Sequence, residues 1–195
     1  MLTLVVGIAA SSTPGSDFQS STAIASLALV PFAVWLTAGL LNSESDASFA
    51  VAAVGSGSAV RYRAFSILSI VALTVPLVLF STVLAWARDK HALQVSVTHI
   101  LVGLLAQFAA VLMGCALGAL VSRPIVTRVG VAWIVGVLLS LSAITLPGSP
   151  VRTSVSILIS DSPADASNYW WVLVIELALT TLFFVGGLRL FVRRL

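Results

Sequence analysis

Long apolar runs separated by short polar islands set the rhythm of this chain. Residues 22–41, 64–86, 97–121, 129–146 and 169–188 lie near the ~20 residues that a helix, rising about 1.5 Å per residue, needs to cross a bilayer core of about 30 Å. Apolar and polar positions do not alternate along these runs, which argues against the strands of a membrane barrel. The pattern therefore predicts an all-α fold: a polytopic transmembrane helical bundle with five full spans, forming a single domain over residues 1–195. Pro31 and Pro76 fall inside the first two spans and predict kinks there. Residues 1–10 are apolar but too short to span, and residues 11–21 form a polar loop containing Pro and Gly. The first ten residues fit a small anchor on the bilayer, an irregular arm, or the tail of a spanning helix whose beginning is absent from this chain. The last is favoured. The basic start of a signal peptide is missing.

The island from Ser43 to Arg63 has a helix signal of its own. Ser43 followed by Asp46 resembles a capping box, and Glu44 and Asp46 sit where the helix dipole is positive. A helix is expected over residues 44–54, closed by a left-handed turn at Gly55. Phe49, Val51 and Val54, with the alanines between them, are too apolar to lie bare in water. The flanking Ser, Asp and Arg residues nevertheless prevent a span, so this helix needs a surface to dock on. The longest other connection, residues 148–168, contains an apolar stretch from Val155 to Ile159 suited to dipping back into the interface. Trp170 and Trp171 then open the last span as an aromatic belt, and Arg189, Arg193 and Arg194 close it.

Composition strengthens the membrane reading. Hydrophobic residues make up 59% of the chain and charged residues 9%, whereas a soluble domain carries about 25% charge; mean hydropathy is +1.11. The net charge of +3 does not point to nucleic acid, because the basic residues are scattered through short loops. They report topology instead. Arg61, Arg63, Arg123, Arg128, Arg189, Arg193 and Arg194 fall on one side, and Arg88, Lys90 and Arg152 on the other. The positive-inside rule then makes the 43–63 island cytoplasmic and the 148–168 loop external; the expected location is the cytoplasmic membrane of a bacterial cell, as a multi-pass protein.

Catalytic signatures are missing. The run from Gly55 to Ser58 lacks the lysine of a phosphate-binding loop, and the only lysine, Lys90, lies across the membrane. Cys115 is the single cysteine, and His91 and His99 lack a nearby acidic pair, so neither a disulfide nor a metal site is indicated. The chain is expected not to be an enzyme and to hold no cofactor.

Two features inside the spans remain. Gly103, Gln107, Ala110, Gly114 and Gly118 recur at three- and four-residue steps, placing a small-residue strip with one amide on a single helix face. Packing within the chain, a dimer seam and a pathway wall all fit that strip. Glu176 is the one acid inside a span, with Thr180 a turn later on the same side as Gly187. A carboxylate facing lipid costs about 3 kcal/mol, so Glu176 is expected to face inward, either on a substrate or ion path or as a hydrogen-bonded structural carboxyl.

The order of parts (a span, a short capped cytoplasmic helix before the next span, two further spans, an external loop with an apolar dip, a last span with a basic tail) resembles the membrane-spanning permease subunit of a type-2 ABC exporter. The resemblance rests on layout and covers most of the chain. It implies a six-span family layout, of which residues 1–10 supply half of the first span. It also implies that Ser43 to Val54 is similar to a coupling helix, with Ser43, Glu44, Asp46, Phe49, Val51 and Val54 engaging ABC ATPase subunits. Residues 151–160 would match a re-entrant element. By the same resemblance ATP and Mg belong to the partner ATPase, and a second permease copy or a related permease completes the pathway. The alternative is a non-transporting accessory or structural subunit of a larger membrane complex. A proton-coupled secondary transporter would need an internal duplication, which the chain lacks.

Overall fold

The computed structural model describes residues 17–89, 95, 97–123, 126, 128–146, 149, 151, 152, 155, 156, 174 and 178. Among them lie α1 (Phe18–Ser43), α2 (Asp46–Gly55), α3 (Ala59–Arg88), α4 (Val97–Leu120) and α5 (Val129–Thr145), and no strand. Three of these, α1, α3 and α4, are long and apolar enough to cross a membrane. At 17 residues, α5 extends about 25 Å and falls short of the core thickness. The described residues thus hold three helices of spanning length where the sequence predicts five full spans. Residues 1–10 lie outside them, as does the predicted span 169–188 apart from Val174 and Ala178, which are both helical.

The bundle centres on α1, which packs most extensively against α4 and then against α5 and α3. The reason lies in the glycine strip. A Cβ built on Gly114 would stand 2.5 Å from the Ala33 methyl and 2.7 Å from the Val30 carbonyl oxygen. One on Gly118 would stand 2.7 Å from Thr37 Cβ and 2.8 Å from the Val34 carbonyl oxygen. Only hydrogen fits at either position, and the two backbones close accordingly. Ala33, Leu29, Val111 and Cys115 join Ile67, Ile70 and Val78 of α3 in one core. Val30, Val34, Ala110, Met113 and Leu117 form a second one, partly covered by Val135 and Leu139 of α5.

The outer surface is the reverse of a soluble protein's. On α3, Phe65, Leu68, Leu73, Phe80 and Val83 are each at least 60% exposed, and Ile134 and Leu138 of α5 are as open. A patch of that size is not stable against water and belongs in lipid or against another protein.

Several boundaries differ from the expected ones, each for a local reason. The first helix begins at Phe18, four residues before the expected start, because its polar first turns satisfy themselves: Thr22 and Ser26 donate to the carbonyls of Phe18 and Thr22. In addition, the Asp89 carboxylate, just past α3, accepts from the Phe18 N–H at 2.8 Å. At its other end α1 continues to Ser43, whose hydroxyl donates back to the Leu40 carbonyl (2.8 Å), so Ser43 is not the cap of the small helix. That role falls to Ser45, in extended conformation, whose Oγ accepts from the Ser48 N–H at 3.2 Å. The left-handed residue beyond α2 is Gly57 (φ 74°), not Gly55, which is still helical. Finally, α3 begins at Ala59 and takes Arg61, Tyr62 and Arg63 into the helix, where the sequence places them in a loop.

Past α5, Val151 and Val155 are buried against α1 and α4. Arg152 donates to the Thr145 carbonyl at 2.9 Å, closing the end of α5. These are the described positions of the expected re-entrant stretch, together with Ser156, and all are helical. The rest of residues 151–160 lies outside the described residues.

Candidate functional site

The small helix has two unlike faces. Phe49 points back to the bundle, with the Tyr62 ring edge-on at 5.7 Å and the Arg63 guanidinium 5.9 Å from its centroid. Ala47, Ala50, Val51 and Val54 are exposed, Val51 by 75% and Val54 by 82%. Their spacing of i, i+3, i+4 and i+7 makes one continuous apolar stripe. α2 packs chiefly on α3, so the stripe is presented outward from a fixed base.

That base is a polar junction. Arg63 is buried near the start of α3, where its guanidinium donates to Ser122 Oγ (3.2 Å) and to the Arg123 carbonyl, both just past α4. A second arm stands 3.8 Å from the Glu44 carboxylate at the corner between α1 and α2. The other oxygen of Glu44 accepts from the Tyr62 hydroxyl. The Arg123 N–H in turn donates to Asn42 Oδ1 at the end of α1 (2.9 Å). Burying a guanidinium costs several kcal/mol unless carboxylate and hydrogen-bond acceptors replace the water. Here an ion pair, a hydroxyl, a carbonyl and an aromatic face do so, and they come from three different places: the α1–α2 corner, the exit of α4 and α2. The planar fork of arginine suits this role, because its donors point in fixed and different directions.

Among the expected coupling residues, Glu44 and Phe49 enter the junction, Val51 and Val54 form the outward stripe, and Asp46 is the first residue of α2. Ser43 does neither. Its hydroxyl stays on α1. Asn42, Tyr62, Arg63 and Ser122 join the junction without having been singled out from the sequence. Their one signal was a basic pair entering an apolar run on the same predicted side as Ser122 and Arg123.

The small-residue strip faces α1. Gly103 lies beside Thr22 and Phe18, and Gly114 and Gly118 lie against Ala33 and Thr37. Gln107 turns to α3 instead: it is fully buried, and its Oε1 accepts from Ser81 (2.6 Å) and, more weakly, Thr82 (3.4 Å). Its Nε2 has no acceptor among the described residues. Ser81 and Thr82 also reach the Val78 carbonyl, each at 2.9 Å, so neither depends on the amide. Gln107→Leu is therefore expected to hold or raise the thermal unfolding temperature of the purified chain, whereas Gln107→Ala opens a cavity and lowers stability by about 2 kcal/mol. Glu176 and Thr180 lie outside the described residues.

A groove of about 460 Å³ opens beside the junction, between the end of α1 and α3, with Leu40, Leu41, Ile70 and Leu73 on its apolar side and Glu44 and Ser66 on its polar side. Its size falls within the range of small-molecule sites. Among the described residues no group of three or more metal-ligating side chains converges. No family model matches the chain, and neither a curated protein nor a solved structure matches it.

Proposed function

We propose that this chain is a permease subunit of an ATP-driven ABC exporter, with α2 as its coupling helix on the cytoplasmic side. The observation that carries this reading is the exposed stripe of Ala47, Ala50, Val51 and Val54 on a helix whose opposite face is anchored by Phe49 and Arg63. A helix that is greasy outward and fastened inward is built to be gripped. The apolar outer surfaces of α3 and α5 support placement in a bilayer beside a second permease copy or a related permease. Burial of Val151 and Val155 against α1 and α4 supports a re-entrant element at the external end. In this reading each permease subunit has the six-span family layout. ATP and Mg bind on the partner ATPases, whose closure moves α2 and switches access between the two sides. The apolar spans, with few polar residues along them, favour a hydrophobic cargo.

The deciding experiment is purification of the tagged full-length chain from native membranes in mild detergent. A nucleotide-hydrolysing partner is expected with the wild type. Val51→Glu combined with Val54→Glu is expected to lose that partner while the permease itself stays folded and monodisperse, because neither residue holds α2 to the bundle. Phe49 is unsuitable for this test, since a charge there breaks the anchor itself. A native assembly without nucleotide hydrolysis would select an accessory subunit instead, and a partner retained by the double variant would remove α2 as the contact.

A further inference from the structure

We infer that Arg63 is the positioning residue through which movement of α2 reaches the spans. This inference rests on the coupling reading of α2. Phe49 touches Tyr62 and Arg63 on α3, and Glu44 holds the corner before the helix. Arg63 is the residue common to both connections, and it alone of these carries them further, to Ser122 Oγ and the Arg123 carbonyl at the exit of α4. The Arg123 N–H then returns to Asn42 on α1. One side chain thus ties together the corner before α2, the α2 anchor, α3 and the end of α4, while Asn42 closes the circuit to α1.

The physical requirement is a fork. Transmission needs donors aimed at once toward Glu44 on one side and toward Ser122 and Arg123 on the other, with a flat cation beneath the Phe49 ring. Lysine supplies the charge but only a point donor on a flexible stem, and glutamine supplies neither charge nor fork. With either substitution α2 keeps the Phe49 and Tyr62 contact but loses its tie to α4, so it is expected to swing relative to the bundle. The stripe of Val51 and Val54 is untouched, and partner binding persists.

Two spin-label measurements on the full-length chain in lipid nanodiscs, in a Cys115→Ala background, test this. In the first, labels on Val51→Cys and Ile134→Cys, both exposed positions, report α2 against the bundle without any partner. A narrow distance distribution is expected with Arg63, roughly doubled in width in Arg63→Gln and intermediate in Arg63→Lys. Equal widths in all three overturn the inference, and Arg63→Lys decides the matter if Arg63→Gln fails to elute as a folded species. In the second, labels on Leu73→Cys and Ile134→Cys are read in the complex with its co-purified ATPase. ATP is expected to shift the wild-type distance, and Arg63→Gln to keep the ATPase bound while losing the shift. A shift that survives in Arg63→Gln overturns transmission. If no ATPase accompanies the wild type, the coupling reading falls and transmission falls with it, while the holding role of Arg63 still stands or falls on the first measurement.

Discussion

Valine in place of Gly114 is expected to prevent α1 and α4 from closing and to abolish recovery of a folded, monodisperse chain. The clash is with backbone as well as side chain: the first added carbon would already lie 2.7 Å from the Val30 carbonyl oxygen and 3.3 Å from the Val34 nitrogen. A flexible side chain could turn aside, but the middle of a helix cannot. Overpacking in a core costs about 1 to 3 kcal/mol when side chains are able to give way. Here the two helices must separate, so the loss exceeds that range. Gly118→Val follows closely, and Gly103→Ala, which meets only the Thr22 methyl at 3.0 Å and the Phe18 ring, is milder. Gly130→Ala is the control, since nothing lies within 4 Å of its added carbon. Elution profiles and thermal unfolding in detergent give the ranking, and a Gly114→Val chain as stable as Gly130→Ala would refute the close packing of α1 on α4.

The second large effect is expected at the junction. Arg63→Met removes a buried cation together with its hydrogen bonds to Ser122 Oγ and the Arg123 carbonyl and its ion pair with Glu44, which keeps the Tyr62 hydroxyl. Removing one partner of a fully buried pair costs about 3 to 5 kcal/mol. Here the Arg63 side chain is 7% exposed but that of Glu44 is 26% exposed, and their separation is 3.8 Å, so water recovers part of the loss. A cost of about 2 kcal/mol follows. Glu44→Gln costs less than Arg63→Met, because Gln still accepts from Tyr62 and Arg63 still holds Ser122 and Arg123. Denaturant titration of the two variants in detergent checks the order. Equal losses would mean that the ion pair, and not the fork, holds the junction.

Periodicity made part of this architecture legible in advance. The three spanning helices could be read because each apolar run is longer than any loop signal can interrupt, and the glycine strip because its three- and four-residue spacing has one geometric meaning. The face on which the strip packs was not legible, since a small-residue stripe fits its own chain and another chain equally well until Ala33 and Thr37 are seen against it. The start of α1 was misplaced because Ser20 and Ser21 read as the end of a polar loop, and its end because Ser43 read as the cap of the small helix. In an apolar setting Thr22, Ser26 and Ser43 satisfy their hydroxyls on the preceding turn and extend the helix. The junction itself was only half visible. Glu44 and Phe49 announced themselves by their place beside the small helix, but the partner that joins them to α4 is Arg63, whose contacts at Ser122 and Arg123 are 59 and 60 residues away. No local pattern encodes a contact between the start of one span and the end of another.

The hydrogen bond from the Phe18 N–H to Asp89 gains weight beside this junction. It pins α1 to the terminus of α3 at one rim of the bundle, while Glu44, Tyr62 and Arg63 pin the same pair at the opposite rim. A ratchet of one past the other by a helical turn, about 5.4 Å, would break both fastenings. What stays open to the pair is swivelling as one leaf, like a door hung on two pins.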